Sequence, residues 1–251
     1  MLWTSSVDHK DTTYFNGNVR WLMDVVPDKK EAFENLKSEV DWKEMIWRTG
    51  RRLPRLCKSS VQTTPIGSII YAWVKDFFQK TMGIDCHISD IFGNNYRNGE
   101  DYLPDHSDNY SSFNGRGYHV VSLSFGAKRL FRFKEGGKVS GPKFYLDAGD
   151  ILIFSPEQNK RTTHGIPKQN VDIGQRINLT CFCHFEKGNP YTAKFHRDKI
   201  PSLSIEEPVG MDCSMDFEEI DFKSFLSPND VDFDDIDVEM MEAIINSLSE
   251  F

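Results

Sequence analysis

Short apolar runs separated by turn residues fill the chain between Cys86 and Pro201, and they constrain its fold more than any other feature. The runs are HVVSLSFG, RLFRFK, KFYLDAGDILIF, THGIP and RINLTCFCHF. Runs of this length at such spacing are typical of strands in an all-β sandwich or barrel. Ala148, Gly149 and Asp150 interrupt the third run with turn chemistry, which predicts a β-hairpin there.

Two earlier segments have apolar residues at helical spacing. Segment 27–40, PDKKEAFENLKSEV, predicts one helix, and segment 66–82 predicts a second helix with a broad apolar face. Between them, segment 42–58 is basic, aromatic and interrupted by glycine and proline, so a loop with short strand pieces is expected. The sequence thus predicts a mainly β fold with flanking helices.

Composition is that of a folded protein without a membrane span. Of 251 residues, 39% are hydrophobic and 13% are aromatic, which is enough for a packed core. No apolar stretch reaches the length needed to cross a bilayer, and the N-terminus has no basic stretch followed by an apolar run. We therefore expect a soluble intracellular protein, in the nucleus or the cytoplasm, with no membrane partner.

The five cysteines lack the spacing of a disulfide framework, so reduced thiols are expected. Cys181, Cys183 and His184 are close enough in the sequence to suggest a zinc site instead. A second ligand pair of matching form is missing from the sequence, which disfavours that interpretation.

Charge divides the chain into two parts of opposite sign. Residues 201–251 carry 15 acidic residues and one basic residue, whereas residues 1–200 carry 23 acidic and 29 basic residues. A mildly basic body of this kind attracts polyanions, and the acidic tail repels them or competes for the same surface. The β texture ends at the same boundary, so segment 201–234 is predicted to be an acidic flexible linker.

A His-x-Asp pair, His106 and Asp108, occurs in the segment DYLPDHSDN. Residues i and i+2 of a strand point to the same side, so the pair offers an imidazole and a carboxylate to one metal ion. Non-haem iron that activates dioxygen needs a second imidazole on the same face, and His164 in TTHGIP is suitably placed on a later strand. Taken alone, the pair is also compatible with hydrogen-bonded surface residues, because His-x-Asp is common by chance.

Arg176 follows His164 by twelve residues and begins the alternating segment RINLT. Its side chain is expected on the opposite side of the strand from Ile177 and Leu179. A dicarboxylate cosubstrate needs one buried, permanently charged fork, and arginine suits this far better than lysine. The pattern therefore predicts a dicarboxylate pocket beside an iron site.

From about residue 42 to residue 185 the chain resembles the AlkB family of nucleic-acid dealkylating dioxygenases. The matching segments are NNYRNGEDYLPDHSD, VVSLSFGAKRLFRF, LDAGDILIF, THGIPK and RINLT, in the order of the family. The resemblance implies a double-stranded β-helix, or jelly roll, with a nucleotide-recognition lid on its N-terminal side. It also implies iron(II), 2-oxoglutarate as cosubstrate, and DNA or RNA, single-stranded or with a flipped base, as partner.

The resemblance assigns roles to seven residues and bounds to two domains. The residues that look like the catalytic iron ligands are His106, Asp108 and His164. Those that look like cosubstrate contacts are Asn94, Tyr96, Asn178 and Arg176, the last holding the distal carboxylate. Outside the family context, Tyr96 is also compatible with a core aromatic in a strand. Residues 1–85 are then an extension with helices and the lid, and residues 86–200 are the catalytic core.

This chain departs from the family pattern in two places. The family commonly repeats an arginine six residues after the first to hold the end of the cosubstrate opposite the distal carboxylate, and this chain has Phe182 there. Iron coordination of the 2-oxo acid, or another donor such as His184, would then hold that end. DNA-repairing members often carry acidic residues directly beyond the metal aspartate, and here Asn109 and Tyr110 occur. Dioxygenase chemistry is therefore better supported than base specificity.

Segment 42–58 offers both charges and aromatic rings to a nucleic acid. The residues that would meet phosphates are Arg48, Arg51, Arg52, Arg55 and Lys58, and those that would stack or wedge are Trp42 and Trp47. A solvated basic loop with two core tryptophans explains the same residues equally well.

The final segment, DDIDVEMMEAIINSLSEF, combines an acidic run with an apolar helical stripe. The residues of the stripe are Met240, Ala243, Ile244, Ser247 and Leu248. The stripe resembles a ubiquitin-interacting motif, in which a small alanine lets an apolar patch of the partner approach and a serine hydrogen-bonds at its rim. Segment 235–251 is predicted to be such a helix; a helix docked on the protein itself and a solubilising tail are the alternatives.

Three hypotheses for function follow. The first is oxidative dealkylation, chiefly demethylation, of N-alkylated bases, in which a hydroxylated alkyl carbon gives a hemiaminal that releases an aldehyde. The second is the same dioxygenase chemistry on a protein side chain or a small molecule. The third is a non-catalytic adaptor that binds ubiquitin, which the intact set of iron ligands disfavours.

Overall fold

The computed structural model describes residues 10–46, 52–108, 117–169 and 172–203. The chain divides into two units, Met1–Ser204 and Ile205–Phe251, and the described residues belong to the first. The predicted ubiquitin-interacting helix and all but the first three positions of the predicted linker lie outside the described residues. Both stay predictions.

The described residues form two antiparallel sheets. The strands in chain order are β1 (Asp11–Tyr14), β2 (Val19–Leu22), β3 (Lys43–Ile46), β4 (Arg52–Lys58), β5 (Asp85–Tyr96), β6 (Leu103–His106), β7 (His119–Gly126), β8 (Arg129–Glu135), β9 (Lys138–Leu146), β10 (Ile151–Phe154), β11 (Thr163–Ile166) and β12 (Arg176–Glu186). The large sheet has the order β1-β2-β10-β7-β12-β5-β4-β3, and the small sheet has the order β6-β11-β8-β9.

From β5 onward the chain repeatedly crosses between the sheets. Strands β5, β7, β10 and β12 lie in the large sheet, and β6, β8, β9 and β11 lie in the small one. This alternation of antiparallel strands between two sheets is the double-stranded β-helix, so the predicted fold class is confirmed. Strands β1 to β4 extend the large sheet at both of its edges, and the sequence analysis did not predict β1 and β2.

The two predicted helices are confirmed as α1 (Lys29–Glu39) and α2 (Pro65–Met82), and a short helix, α3, spans Pro156–Arg161. Local signals bound α2 at both ends. The Thr64 hydroxyl accepts a hydrogen bond from the amide of Gly67 at 3.1 Å, and Gly83 takes a left-handed conformation, φ 69°, that ends the helix. Among the described residues, no helix is both long and apolar enough to cross a membrane.

The large sheet presents chemically different faces to its two neighbours. Its outer face is apolar and packs on α2, where the rings of Phe78 and Phe185 lie 4.8 Å apart. Its inner face looks toward the small sheet, where the ring of Phe154 lies 5.0 Å from that of His164. The centre of the inner face carries buried polar side chains, and a hydrophobic core alone does not require them.

The predicted hairpin at Ala148, Gly149 and Asp150 is wrong. The turn exists, with Gly149 at φ 89°, but it connects β9 in the small sheet to β10 in the large sheet. The Asp150 carboxylate accepts hydrogen bonds from the indole of Trp21 at 3.1 Å and from the amide of Asp24 at 2.9 Å. These distant partners orient the turn across the sheets, and its local sequence does not encode them.

Candidate metal centre and adjoining cationic pocket

The three predicted metal ligands meet at one end of the small sheet. His106 and His164 are cross-strand partners on β6 and β11, and Asp108 lies two residues beyond the end of β6. Nε2 of His106 is 3.2 Å from Oδ1 of Asp108, and Nε2 of His164 is 3.4 Å from Oδ2. The ligand atoms of the three residues all lie within 4.8 Å of one another, as one ion would require.

The two imidazoles are held in states suited to metal binding. Nδ1 of His106 lies 3.0 Å from the carbonyl oxygen of Pro104; donation to that oxygen leaves Nε2 with a free lone pair toward Asp108. Burial lowers the pKa of His164 to about 4, so this ring is neutral at neutral pH. Burial alone would raise the pKa of Asp108, but the neighbouring His164 and His106 outweigh it, so the pKa is lowered and the carboxylate is charged.

Aromatic side chains close the site around His164. Its ring stacks on that of Phe131 at 5.5 Å, and the rings of Phe133 and Phe154 lie 6.1 and 5.0 Å away. Oδ2 of Asp108 and Nδ1 of His164 are buried without a hydrogen-bond partner. A buried carboxylate oxygen without a hydrogen-bond partner is costly, and iron(II) would remove that cost, so the residues fit the ion.

Asn159 on α3 holds Asp108 in place. Its Oδ1 accepts a hydrogen bond from the main-chain amide of Asp108 at 2.9 Å, and its Nδ2 donates to the carbonyl oxygen of Asp108 at 2.6 Å. The two bonds fix the backbone of a metal ligand that lies outside any strand. The sequence analysis did not identify Asn159, because no signal links it to Asp108.

Replacement of Asn159 with alanine should lower iron(II) affinity by about tenfold without unfolding the protein, as expected for a partner that orients a metal ligand. Anaerobic metal titration would measure the change. Lys160→Ala, at an exposed position of the same helix, is the matched control. Equal affinities of the two variants would show that the contact does not position Asp108.

The predicted cosubstrate residues share the inner face of the large sheet. Arg176 on β12 pairs with Tyr96 on β5. Two positions further along β12, Asn178 pairs with Asn94. Nη2 of Arg176 donates to the hydroxyl of Ser124 at 3.0 Å, whereas its Nε and Nη1 and the hydroxyl of Tyr96 are buried without a hydrogen-bond partner. Burial lowers the pKa of Arg176 to about 10, so it remains charged at neutral pH.

The two asparagines have different surroundings. Nδ2 of Asn178 donates to Ser122 at 2.7 Å and to the carbonyl oxygen of Leu123 at 2.9 Å, so this side chain braces β12 against β7. Oδ1 of Asn94 accepts a hydrogen bond from Nε of Arg55 at 2.6 Å. Arg55 was predicted as a possible phosphate contact, but its side chain is buried and points toward Asn94.

The other proposed nucleic-acid contacts of segment 42–58 have mixed positions. The indole of Trp42 donates to the carbonyl oxygen of Leu36 at 2.8 Å and packs over Gly93, so this half-buried ring contacts the protein's own fold. Arg52 is exposed and ion-paired with Glu44 at 2.9 Å. Other residues singled out by the sequence analysis lie outside the described residues: Trp47, Arg48, Arg51, Asn109 and Tyr110.

The zinc alternative is not supported. Cys181 and Cys183 are both buried, and strand alternation directs them to the opposite face of β12 from His184. Among the described residues, the one cluster with the spacing of a metal site is His106, Asp108 and His164.

Two histidines and an aspartate that meet on a jelly roll, with a buried arginine on the inner face of its large sheet, define a non-haem iron oxygenase. The chain belongs to the 2OG-Fe(II) oxygenase superfamily, whose model matches residues 19–181. The matched range contains the three candidate metal ligands and Arg176. Iron(II) and 2-oxoglutarate are thus its cofactor and cosubstrate, as the sequence predicted.

Similar proteins bear out the AlkB resemblance. The chain is 30% identical over 182 residues to the alpha-ketoglutarate-dependent dioxygenase alkB homolog 3 of Bos taurus and to that of Homo sapiens. The alignments cover 61% of this chain and 62% of each relative, so the chain spans about three fifths of the length of the curated relatives it matches.

Solved structures with similar folds include OsALKBH1, with a TM-score of 0.49 and 17% identity, where the alignment covers 68% of this chain and 100% of the other. HygX from Streptomyces hygroscopicus, with nickel, 2-oxoglutarate and hygromycin B bound, has a TM-score of 0.48 and 11% identity, over 73% of this chain and 95% of the other. Likeness at this level says nothing about the substrate.

Proposed function

We propose that the protein removes alkyl groups, methyl groups above all, from nitrogen atoms of bases in DNA or RNA by iron(II)- and 2-oxoglutarate-dependent oxidation. The observations that carry the oxygenase chemistry are the meeting of His106, Asp108 and His164 and the buried guanidinium of Arg176, two of whose nitrogens lack a hydrogen-bond partner. The observation that carries the substrate class is the AlkB resemblance, with the basic charge balance of residues 1–200 as support.

The chain's own residues bind and orient the reactants. His106, Asp108 and His164 would hold iron on one side and leave the opposite side open. Arg176, with the hydroxyl of Tyr96, would bind the distal carboxylate of 2-oxoglutarate. The phenylalanine rings around His164 keep water from that side of the site.

Bound together, iron(II) and 2-oxoglutarate would supply the oxidation of a C–H bond by dioxygen, with succinate and carbon dioxide as products. One oxygen atom enters the N-methyl carbon and the other enters succinate. The resulting hemiaminal breaks its C–N bond, so formaldehyde leaves and the base nitrogen regains its proton. A base must be flipped or single-stranded to enter such a site.

Exposed cations near the site favour a phosphate-bearing substrate. Lys160 and Arg161 are exposed and directly follow Asn159, the residue that contacts the backbone of Asp108. Such cations position a polyanion without reading its sequence. DNA and RNA are both compatible with this arrangement.

Product analysis with N-methylated single-stranded oligonucleotides tests the proposal. We expect formaldehyde, succinate and the unmethylated base in equal amounts from DNA or RNA oligomers. Unmethylated oligomers of the same sequence are the control. Absence of demethylated base, together with succinate formation from peptides or small molecules, would favour the same chemistry on another substrate. Ubiquitin binding by segment 235–251 stays a prediction.

A further inference from the structure

Three buried arginines surround Tyr96 and form a cationic pocket. The residues are Arg55, Arg129 and Arg176, which are 6%, 0% and 1% exposed. Among the described residues, no carboxylate forms an ion pair or hydrogen bond with Arg55 or Arg176. The nearby buried Asp101 is instead paired with Arg97 at 2.8 Å. The pocket therefore concentrates positive charge without a protein anion to balance it.

Arg129 differs from the other two because main-chain carbonyl oxygens accept hydrogen bonds from most of its guanidinium. Its Nη1 donates to the carbonyl oxygen of Asn98 at 2.9 Å, and its Nη2 donates to that of Asp101 at 2.7 Å. Nη1 of Arg55 and two nitrogens of Arg176 are buried without any hydrogen-bond partner. Unpaired buried cations destabilise a fold and mark positions where a ligand supplies the missing anion.

Arg55 reaches the pocket from the side opposite Arg176. Cys57 on β4 pairs with Asn94 on β5, so Arg55, two residues earlier, shares the inner face with Asn94. Arg176 pairs with Tyr96 from the other neighbouring strand, β12. Burial raises the pKa of the Tyr96 phenol, and the nearby Arg55 and Arg176 oppose that increase.

The hydrogen bond from Arg55 to Asn94 also determines what Asn94 offers. Nε of Arg55 donates a hydrogen bond to the amide oxygen of Asn94 at 2.6 Å. Asn94 therefore directs its amide nitrogen, which is a hydrogen-bond donor, away from Arg55. Arg55 and Asn94 thus both present donors, which suits an anion.

Phe182 replaces the second family arginine, which would hold the opposite end of the cosubstrate, so that replacement does not account for the unpaired Nη1 of Arg55. We propose that Arg55 is a second guanidinium of the cosubstrate pocket and binds the distal carboxylate of the 2-oxo dicarboxylic acid together with Arg176. The inference rests on the oxygenase function of the same site. It makes Arg55 a specificity-determining residue that selects dicarboxylates over monocarboxylates.

Anaerobic binding titrations of the iron(II)-loaded full chain test this role. The probes are 2-oxoglutarate and 2-oxopentanoate, which has the same carbon chain without the distal carboxylate. In Arg55→Met we expect the dissociation constant of 2-oxoglutarate to rise about 30-fold and that of 2-oxopentanoate to stay within about twofold, because only the dicarboxylate loses a charge-assisted hydrogen bond. Arg55→Lys should fall in between.

Arg20→Met is the control, because it removes a buried guanidinium that is paired with Asp11 at 2.7 Å and bonded to main-chain carbonyl oxygens. It should lower stability and leave the preference for the dicarboxylate unchanged. Equal weakening of both probes in Arg55→Met, or no weakening, would overturn the inference; if that variant does not fold, the ratio measured for Arg55→Lys decides. Failure of the unmodified protein to bind either probe would refute the oxygenase function itself.

Discussion

Replacing His164 with leucine should abolish iron(II) binding and leave the protein folded. Leucine is apolar like the rings of Phe131 and Phe154 that enclose the position, and it removes a buried Nδ1 without a hydrogen-bond partner. Such a replacement costs little stability. Loss of a ligand should lower iron affinity by more than about a hundredfold, because loss of an outer partner alone typically costs about 10- to 100-fold.

The absorption band that iron(II) and 2-oxoglutarate develop together under anaerobic conditions would measure this loss. His87→Leu is the control, since His87 is exposed and its Nε2 lies 3.7 Å from Glu186. It should bind iron as the unmodified protein does. If His164→Leu also retained the band at similar metal concentrations, the three side chains would not be the metal site.

Replacing Arg176 with methionine should have opposite effects on stability and on binding. The free energy of unfolding of the metal-free protein should rise by about 1–2 kcal/mol, because an apolar side chain of similar length replaces a buried, largely unpaired charge. The affinity for 2-oxoglutarate should fall by more than about a hundredfold, the usual effect of removing one partner from a buried charge pair. A gain in stability together with a loss of binding would indicate that Arg176 serves ligand binding at the expense of the stability of the fold.

Chemical denaturation with and without metal and 2-oxoglutarate would measure both effects. Arg20→Met is the control, because Arg20 is equally buried but paired with Asp11 at 2.7 Å and bonded to the carbonyl oxygens of Pro190 and Ala193. That variant should lose stability and keep its cosubstrate affinity. A loss of stability in Arg176→Met similar to that in Arg20→Met would show that Arg176 serves the fold.

The sequence predicted the candidate iron ligands and the candidate cosubstrate contacts. His106 and Asp108 share a motif whose i, i+2 spacing has a direct geometric meaning, and Arg176 begins a strand whose alternation fixes its side. Helix α2 was predictable for a similar reason, since Thr64 and Gly83 bound it locally. Each of these features depends on residues within a few positions of one another.

The roles of Arg55 and Asn159 were not predictable in this way. Arg55 belongs to a basic segment that suggests a surface, yet β4 pairs with β5 and turns this side chain toward Asn94. Asn159 reaches Asp108 only because α3 packs beside the end of β6. Neither contact can be inferred from the residues that neighbour Arg55 or Asn159 in the sequence.

The sequence by itself predicted the strand texture and helices α1 and α2, because local periodicity carries that information. It predicted the candidate metal ligands and Arg176 through short motifs read together with the family resemblance. The tertiary structure alone decided which sheet each strand joined, as the turn at Gly149 shows by crossing between sheets. It also decided which charges became buried around Tyr96. Strand pairing and burial depend on segments far apart in the chain, whose mutual attraction no short stretch of sequence encodes.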